Sequence, residues 1–372
     1  MCRHFSLLSQ TIGSSIGSSI GSSIGSDSLN GMRGVNGLHH VTAISGPAQE
    51  NLDFYAGVLG MRLVKRSVNQ DDPGTYHLFY ADAEGHAGTD LTFFPWAHMA
   101  PSRDGHGLAT EVSLAVPSGT LDWWGARLTG YGATVAPIET RFGERALPIV
   151  DPHGLRVALV EAPPAVGRGF TPWDASPVAA ERQIRGLHGA RVVERDPAAT
   201  AALLTQVLGF VPHATEGGWQ RFVIPAPALG DHASSSGGLL SGVSGRHLDV
   251  QTAAADARRG AWGTGSIHHL AWRVDDDAHE AEMSQRVASA GAHPTPVIDR
   301  FWFKSVYFKE PGGVLFELAT DGPGFAVDES AHALGESLVL PPWLERQRGQ
   351  IRAILPTLAY PPALPAAKTE HA

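Results

Sequence analysis

Two pairs of adjacent histidines and one isolated glutamate are the residues of this sequence whose types and spacing could do chemistry. His39 and His40 lie in an early apolar segment, His268 and His269 lie in a similar late segment, and Glu317 interrupts a further apolar run. A carboxylate is costly to bury in apolar surroundings unless it is paired or bound to a metal. Two histidines and one carboxylate are the ligands of a facial triad, which holds iron(II) and leaves positions open for substrate and dioxygen. A metal site is therefore the first hypothesis.

The alternation of side chains along strands indicates which histidine of each pair faces such a site. Short apolar runs bounded by glycine and proline predict strands around all three groups, and successive side chains on a strand point to opposite faces. In the late pair, His269 shares a face with Ala271 and Arg273, and the early pair repeats its pattern with His40 in the equivalent place. The predicted ligands are thus His40, His269 and Glu317. The alternative is that each pair is a polar strand end, hydrogen-bonded in a turn.

These strands belong to a unit that is repeated four times, each with a strand, a helix and further strands. The repeats begin near Gly37, Thr110, Ile184 and Gly265. This pattern predicts an α+β protein built from four βαβββ modules. The division of the chain is predicted from the repeats and from the composition between them: a low-complexity leader at 1–34, a first domain at 35–162, a linker at 163–183, a second domain at 184–323, and a tail with one helix at 324–372.

The alignment of the repeats predicts one metal site per chain. His40 aligns with Gly189 in the third repeat, whereas His269 aligns with Ser113 and Glu317 with Ala158 in the second. Only the first and fourth repeats therefore carry the ligands. The site is expected where these two repeats meet, although they are far apart in the chain.

The composition narrows the class of protein. The 372 residues have a net charge of −9 that is spread along the chain, so nucleic acid and anionic membranes are not expected partners. No apolar run is long enough to span a bilayer. A single cysteine excludes an intrachain disulfide and a thiolate cluster. The leader repeats Ile-Gly-Ser-Ser, has too little apolar surface to fold alone and is expected to be disordered. The expected location is the cytoplasm, and a homo-oligomer is compatible with the sequence.

Several segments resemble the hydroquinone-type ring-cleaving dioxygenases of the vicinal oxygen chelate superfamily, which also contains the glyoxalases, bleomycin resistance proteins and extradiol dioxygenases. The segments that carry the resemblance are 38–42, 60–66, 76–78, 93–96, 299–308 and 311–317. The resemblance extends over about residues 35–358 but not over the leader. It implies two tandem domains whose mixed sheets curl into metal-binding cups.

The resemblance also implies the activity. Such an enzyme cleaves the ring of para-diols, incorporates both atoms of dioxygen, and gives muconic-semialdehyde-type products. The expected partners are a small aromatic diol, with substituted or chlorinated hydroquinones included, and dioxygen. The implied cofactor is iron(II), with manganese(II) as the alternative, held by His40, His269 and Glu317. The implied catalytic residues are His39, Thr42, His268, Arg300 and Tyr307.

Each implied catalytic residue has a simpler alternative. Tyr307 could orient a substrate oxygen or be a packed aromatic, and Arg300 could pair with the substrate, with Glu317, or with solvent at a strand end. His39 and His268 could transfer protons near neutral pH, or they could orient their neighbours by hydrogen bonding.

Other functions and other residues are weaker candidates. A glyoxalase-like isomerase or thiol transferase would use the same fold, but such enzymes usually have more carboxylate ligands, and a binder of aromatic compounds would not need an intact triad. His86 and His106 lie beside glycines and are predicted to be loop residues, and Asp71 belongs to a predicted solvated turn. His77 is given no role.

Overall fold

Two mixed β-sheets and a few short helices make up the structure, a computed structural model that describes residues 33–163, 169–225 and 245–360. This arrangement confirms the predicted α+β class. Nearly all of the predicted leader, residues 1–32, lies outside the described residues. Within the described part of the chain, no helix is long and apolar enough to cross a membrane.

The first sheet combines the first and fourth repeats. Its eight strands have the order β15-β16-β17-β14-β1-β4-β3-β2. The strands of the first repeat are β1 (Leu38–Ser45), β2 (Arg62–Asn69), β3 (Asp72–Ala81) and β4 (Asp90–Pro95). Those of the fourth repeat are β14 (Ile267–Val274), β15 (Ile298–Asp299), β16 (Lys304–Lys309) and β17 (Leu315–Thr320). The sheet therefore joins two repeats that are far apart in the sequence.

The second sheet combines the second and third repeats in the order β11-β12-β13-β10-β5-β9-β8-β6, and β7 pairs with β8 beside this path. The second repeat supplies β5 (Leu108–Val116), β6 (Thr134–Val135), β7 (Glu139–Arg141), β8 (Glu144–Val150) and β9 (Arg156–Glu161). The third supplies β10 (Gly186–Glu194), β11 (Val211–Glu216), β12 (Trp219–Val223) and β13 (His247–Thr252). Each sheet thus draws one repeat from each half of the chain.

One helix follows the first strand of each repeat. These helices are α1 (Ala48–Leu52), which continues as a π-helical segment (Asp53–Val58), α2 (Leu121–Gly130), α3 (Pro197–Gln206) and α4 (Asp277–Ser289). The tail carries a further helix, α5 (Arg348–Ile354). Short 3₁₀ turns lie at Ala180–Arg182, Phe325–Val327, Ala331–Ala333 and Pro342–Gln347. Asp196 begins α3 by accepting a hydrogen bond from the amide of Ala198, and Asp276 begins α4 in the same way through the amide of His279. Both are N-caps that satisfy an amide left free by the first helical turn.

The strand register of the first sheet brings the three predicted ligands together. Antiparallel β1 and β14 place Thr42 opposite His269 and His40 opposite Ala271. Parallel β14 and β17 place Ala271 opposite Glu317. Neighbouring strands lie about 4.8 Å apart, so side chains from β1, β14 and β17 on one face can converge. We call this face of the first sheet the ligand face.

The register of the second sheet corrects one predicted alignment. Gly189 lies opposite Ser113, just as His40 lies opposite Ala271, so the position equivalent to His269 is Glu111 and not Ser113. Glu317 corresponds to Ala158, as predicted. Residues 265–274 and 107–116 are segments of equal length that begin with glycine and end with valine, and a gap-free alignment of these ends pairs His269 with Glu111. The predicted alignment was therefore displaced by two residues, which keeps the strand face but not the position.

An extensive apolar core joins the two sheets and their helices, with Trp124, Trp272 and Phe316 among its fully buried side chains. A separate, smaller cluster contains Phe79 and Phe303. It lies beside the ligands on the ligand face. The site described next is therefore built on central strands that are fixed by packing on both faces.

Candidate metal centre

Three side chains of the ligand face converge on one point. The distance between Nε2 of His40 and Nε2 of His269 is 3.2 Å. Oε2 of Glu317 lies 3.2 Å from the first nitrogen and 3.0 Å from the second. All three residues are buried. In the described part of the chain, this is the one group of three or more histidine, cysteine or acidic side chains close enough to hold an ion.

The spacing of these atoms fits a transition metal. Ligands at right angles on an octahedral metal lie √2 bond lengths apart, so separations of 3.0–3.2 Å correspond to bonds of about 2.1–2.3 Å. Metal bonds to imidazole nitrogen and carboxylate oxygen have about these lengths. The three atoms would occupy one octahedral face and leave the opposite face open.

The surroundings of Glu317 support the same conclusion. Its Oε1 accepts a 2.5 Å hydrogen bond from the hydroxyl of Ser305. No described residue makes a well-directed hydrogen bond with Oε2, although the side chain is wholly buried. Burial opposes ionisation, but His40 and His269 hold the pKa of Glu317 well below its usual value. A buried, ionised carboxylate with one oxygen aimed at two imidazole nitrogens is a good metal ligand.

In each pair, the histidine that is not a predicted ligand contacts the one that is. Nδ1 of His39 lies 2.9 Å from Nδ1 of His40, and Nδ1 of His268 lies 2.8 Å from Nδ1 of His269. If the ligand histidines bind through Nε2, their Nδ1 atoms carry the hydrogens and donate to these neighbours. Such outer contacts fix the tautomer and orientation of a metal-bound imidazole. This geometry favours the orienting role considered for His39 and His268 over proton transfer.

Burial keeps both supporting histidines neutral. Desolvation, followed by the nearby charge of His40, lowers the pKa of His39 to about 3. Desolvation likewise lowers the pKa of His268, whose ring stacks on Trp262 at a centroid distance of 4.4 Å. A neutral imidazole can accept the hydrogen that its neighbour donates.

A cavity opens beside the triad and gives a substrate access to it. The cavity holds about 380 Å³ of empty space, part of it open to solvent, and His40 and His269 line it. Its aromatic wall consists of Phe79, Phe94, Trp302, Phe303 and Tyr307. Its polar wall consists of Asn69, Gln70, Asp71, His77 and Arg300. A concave wall that combines aromatic side chains with polar groups is typical of sites that bind small ligands.

Arg300 and Tyr307, two of the residues proposed from the sequence as catalytic, lie at this wall. Arg300 pairs with Asp71 at 3.0 Å, and its guanidinium lies 5.4 Å above the centre of the Tyr307 ring. The alternative of an ion pair between Arg300 and Glu317 is not observed. Burial and the charge of Glu317 raise the pKa of Tyr307. Its phenol is therefore protonated and able to donate a hydrogen bond.

Thr42 is fully buried and makes contact with another threonine. Its hydroxyl lies 2.7 Å from that of Thr92 on the adjacent strand β4. The described cavity wall does not include Thr42, His39 or His268. The structure therefore places two of the five predicted catalytic residues, Arg300 and Tyr307, at the cavity and three behind it.

Sequence reasoning missed two titratable residues of the wall, Asp71 and His77. Asp71 was predicted to lie in a solvated turn; it is largely exposed, yet it pairs with Arg300. His77 was given no role, although it lines the cavity. Strand alternation was the available signal. His77 and Phe79 share a face of their strand, and Phe79 lies opposite Thr92 on the next strand, which places His77 on the ligand face. Burial lowers the pKa of His77, so its ring is neutral.

Ion pairs fill the corresponding face of the second sheet. Arg141 pairs with Glu111 at 2.5 Å, and Arg221 pairs with Asp249 at 2.7 Å and with Glu144 at 2.6 Å. With Arg191, which lies 3.4 Å from Asp249, three guanidinium groups balance three carboxylates where the first sheet carries its predicted ligands.

The position equivalent to His40 is closed as well. A Cβ atom at Gly189 would lie only 2.1 Å from Nε2 of His247. The ring of His247 therefore occupies the space that a side chain at this position would need. Together with the ion pairs, this contact explains physically why the metal-binding geometry exists in one sheet and not in the other.

Comparison with known protein families gives a match in both halves of the chain. The model of the Glyoxalase/Bleomycin resistance protein/Dioxygenase superfamily matches residues 37–159 and 186–318. These two ranges contain all three converging residues.

Individual proteins match over most of the chain. This chain is 40% identical over 321 residues to a protein of Bacillus subtilis named "Putative ring-cleaving dioxygenase MhqO". The match covers 86% of this chain and 96% of that protein. It is 32% identical over 325 residues to the chlorohydroquinone/hydroquinone 1,2-dioxygenase of Sphingobium indicum, with 85% and 95% covered. A crystal structure of a "putative dioxygenase" from Bacillus subtilis has a TM-score of 0.77 and 38% identity, and covers 88% of this chain and 99% of that one.

Proposed function

This chain belongs to the glyoxalase/bleomycin resistance protein/dioxygenase superfamily, and we propose that within it the protein is an iron(II)-dependent dioxygenase that cleaves the ring of hydroquinones. The proposed substrates are para-diols, including substituted and chlorinated ones, and the proposed products are of the muconic-semialdehyde type. The relatives named as ring-cleaving and hydroquinone dioxygenases, which align over nearly their whole length, support this choice.

One observation carries the proposal. Two imidazole nitrogens and one carboxylate oxygen converge within 3.0–3.2 Å beside a cavity with aromatic walls. The chemistry of a facial triad needs a metal with open positions, and the cavity provides room on the side that the ligands leave free. We therefore assign His40, His269 and Glu317 as the metal ligands.

The ligand set also fits the charge of the reaction. Two neutral imidazoles and one carboxylate leave a divalent metal with a net single positive charge, which favours an anionic phenolate oxygen. When bound, iron(II) would supply a redox-active Lewis acid with room for both substrate and dioxygen; manganese(II) suits the same ligands. Ser305, His39 and His268 would hold the three ligands in their orientations.

The cavity wall would bind and orient the diol. Phe79, Phe94 and Phe303 offer faces and edges on which a flat ring packs and from which water is excluded. Tyr307, which stays protonated, would donate a hydrogen bond to a substrate oxygen near the triad, since its ring lies 5.6 Å from that of His269. Arg300 would add a positive charge at the rim, where it favours an anionic substrate or product.

Oxygen consumption by the iron(II)-loaded protein tests the proposal. The protein is loaded anaerobically and then offered hydroquinone, a chlorinated hydroquinone and catechol in separate reactions. We expect uptake with the para-diols, with loss of at least about 100-fold in Glu317→Ala, which lacks a ligand. The matched control is Glu336→Ala, which removes an exposed glutamate and should leave the rate unchanged. Absence of uptake with every diol, despite one bound iron per chain, would contradict the proposal.

A further inference from the structure

His77 presents one ring nitrogen to the cavity and holds the other on the protein. Its ring lies against Phe79 and Phe94, with centroid distances of 3.9 and 4.4 Å. Its Nε2 lies 2.9 Å from the hydroxyl of Thr92. No described residue makes a hydrogen bond with its Nδ1, although the residue lines the cavity. Nδ1 is therefore available to a ligand.

The orientation of this ring is fixed from behind. The Thr92 hydroxyl is itself 2.7 Å from that of Thr42, which lies opposite His269 in the sheet. The buried hydroxyl of Thr92 would lose a partner if the ring turned over, and a lost partner is costly in a buried site. Thr42 and Thr92 therefore act as positioning residues for His77.

Several other polar groups of the wall contact the protein. Arg300 pairs with Asp71. The side-chain amide of Gln70 donates to the backbone carbonyl of Arg300, and the amide oxygen of Asn69 accepts from the backbone of Asp71. His77 combines a ring that is held through Nε2 with an Nδ1 that no described residue binds, and its strand β3 lies on the other side of β14 and β1 from the strand β16 that carries Tyr307.

The position of His77 relative to the triad suits a particular shape of ligand. In the order β14-β1-β4-β3, two strands separate the strand of His269 from that of His77. At about 4.8 Å per strand spacing, the two backbones lie about 14 Å apart, and both side chains reach the same cavity. A para-diol carries its hydroxyls at opposite ends of a flat ring. One hydroxyl can lie at the triad while the other reaches the opposite wall.

We propose that Nδ1 of His77 hydrogen-bonds the hydroxyl of the diol that is remote from the triad, and that this contact makes the site selective for para-diols. The proposal rests on the proposed function. A site built to bond a hydroxyl discriminates strongly against an analogue that lacks it, because the buried group is then left without a partner.

The test compares the binding of hydroquinone and phenol, which differ only in the remote hydroxyl. Dissociation constants are measured by calorimetry, without oxygen, on the full-length iron(II)-loaded protein. The wild type should bind hydroquinone about 10–100-fold more tightly than phenol. Two variants separate the ring nitrogens, since glutamine places its amide near Nε2 and asparagine near Nδ1.

His77→Gln keeps the contact with Thr92 and loses the group that faces the cavity. We expect its preference for hydroquinone to fall to about twofold or less, with phenol bound as by the wild type. His77→Asn should keep most of the preference. Bound iron should stay at the wild-type level in both variants. His213→Gln, the same change at an exposed strand position, is the control and should bind both ligands as the wild type does.

Three results would overturn the proposal. The first is a wild type that binds both ligands equally, and the second is a His77→Gln protein that keeps the full preference. The third is a His77→Gln protein that binds both ligands more weakly by the same factor, which would indicate a purely structural role for His77. The outcome is separate from the test of the proposed function. If the wild type binds iron but consumes no oxygen with any diol, the dioxygenase proposal fails, and the binding ratio still decides the role of His77.

Discussion

Removal of the hydroxyl of Ser305 should weaken metal binding although none of the three proposed ligands is substituted. Ser305 lies on β16, is fully buried, and donates a 2.5 Å hydrogen bond to Oε1 of Glu317. In Ser305→Ala this oxygen has no donor, so the carboxylate is less well held and more easily protonated. The metal must then compete with a proton and must reorient its ligand.

The size of the effect follows from the charge of the acceptor. A hydrogen bond to a charged group contributes about 1.5–3 kcal/mol, which is about 10–150-fold in an equilibrium constant. The metal-free protein loses part of the same energy, so this range is an upper limit for the change in metal affinity. Substitutions of residues that support metal ligands typically weaken metal binding about 10–100-fold. We expect a 10–100-fold rise in the dissociation constant.

The assay is an anaerobic competition for iron(II) between the protein and a chromogenic chelator. Ser67→Ala is the matched control, because Ser67 is a fully buried strand serine of the same sheet whose hydroxyl has no hydrogen-bond partner among the described residues. The control should bind iron as the wild type does. An unchanged dissociation constant in Ser305→Ala, with normal folding, would refute the reasoning that this hydrogen bond holds Glu317 for the metal.

Three further predictions concern pH, the second sheet and the rim of the cavity. Burial lowers the pKa values of His39, His77, His268 and His269 below 6.5. The unfolded chain therefore takes up more protons than the folded protein as the pH falls, and the unfolding free energy of the metal-free protein should fall by about 1.4 kcal/mol per pH unit for each of these histidines below about pH 6.5. A urea midpoint that is unchanged between pH 7.5 and 5.5 would contradict this. Glu111→Gln replaces the buried carboxylate that pairs with Arg141, but Arg141 keeps its pair with the half-exposed Glu139. The variant should therefore destabilise the fold by about 1–3 kcal/mol, and the iron content of the folded protein should stay at the wild-type value. Chemical denaturation and metal analysis check both. Asp71→Asn breaks an ion pair in which the acid is 67% exposed and should change kcat/KM less than about fivefold. Arg300→Gln should reduce kcat/KM at least about tenfold. Steady-state kinetics measure both values, and an equal loss of activity in the two variants would refute the account.

The convergence of His40, His269 and Glu317 could be predicted because these residues obey local rules. Alternation along β1 and β14 puts His40 and His269 on inward faces, and a carboxylate in an apolar strand needs a partner wherever that strand is buried. The repeated unit then predicts that the first and fourth repeats meet. The structure bears out the α+β class and this pairing of repeats, since β1 and β14 are neighbours.

The remaining features depend on packing between distant segments. Asp71 becomes a partner of Arg300 only because the β2–β3 turn folds over the cavity, and the two residues are 229 positions apart. The alignment of His269 with Ser113 was displaced by two residues, and a shift by two keeps the same strand face, so alternation alone could not detect it; the pairing of the strands does. The pairing of Nδ1 atoms within each His-His pair likewise depends on ring orientation, which strand periodicity does not specify.

The most direct test of the central claim is the origin of the oxygen in the product. Iron(II)-loaded protein is supplied with hydroquinone and ¹⁸O₂ in ordinary water, the aldehyde is reduced at once with borohydride to prevent exchange, and the product is analysed by mass spectrometry. The account predicts a ring-opened product that contains both labelled atoms and whose formation requires Glu317. A quinone without label, or a ring-hydroxylated product with one labelled atom, would contradict it.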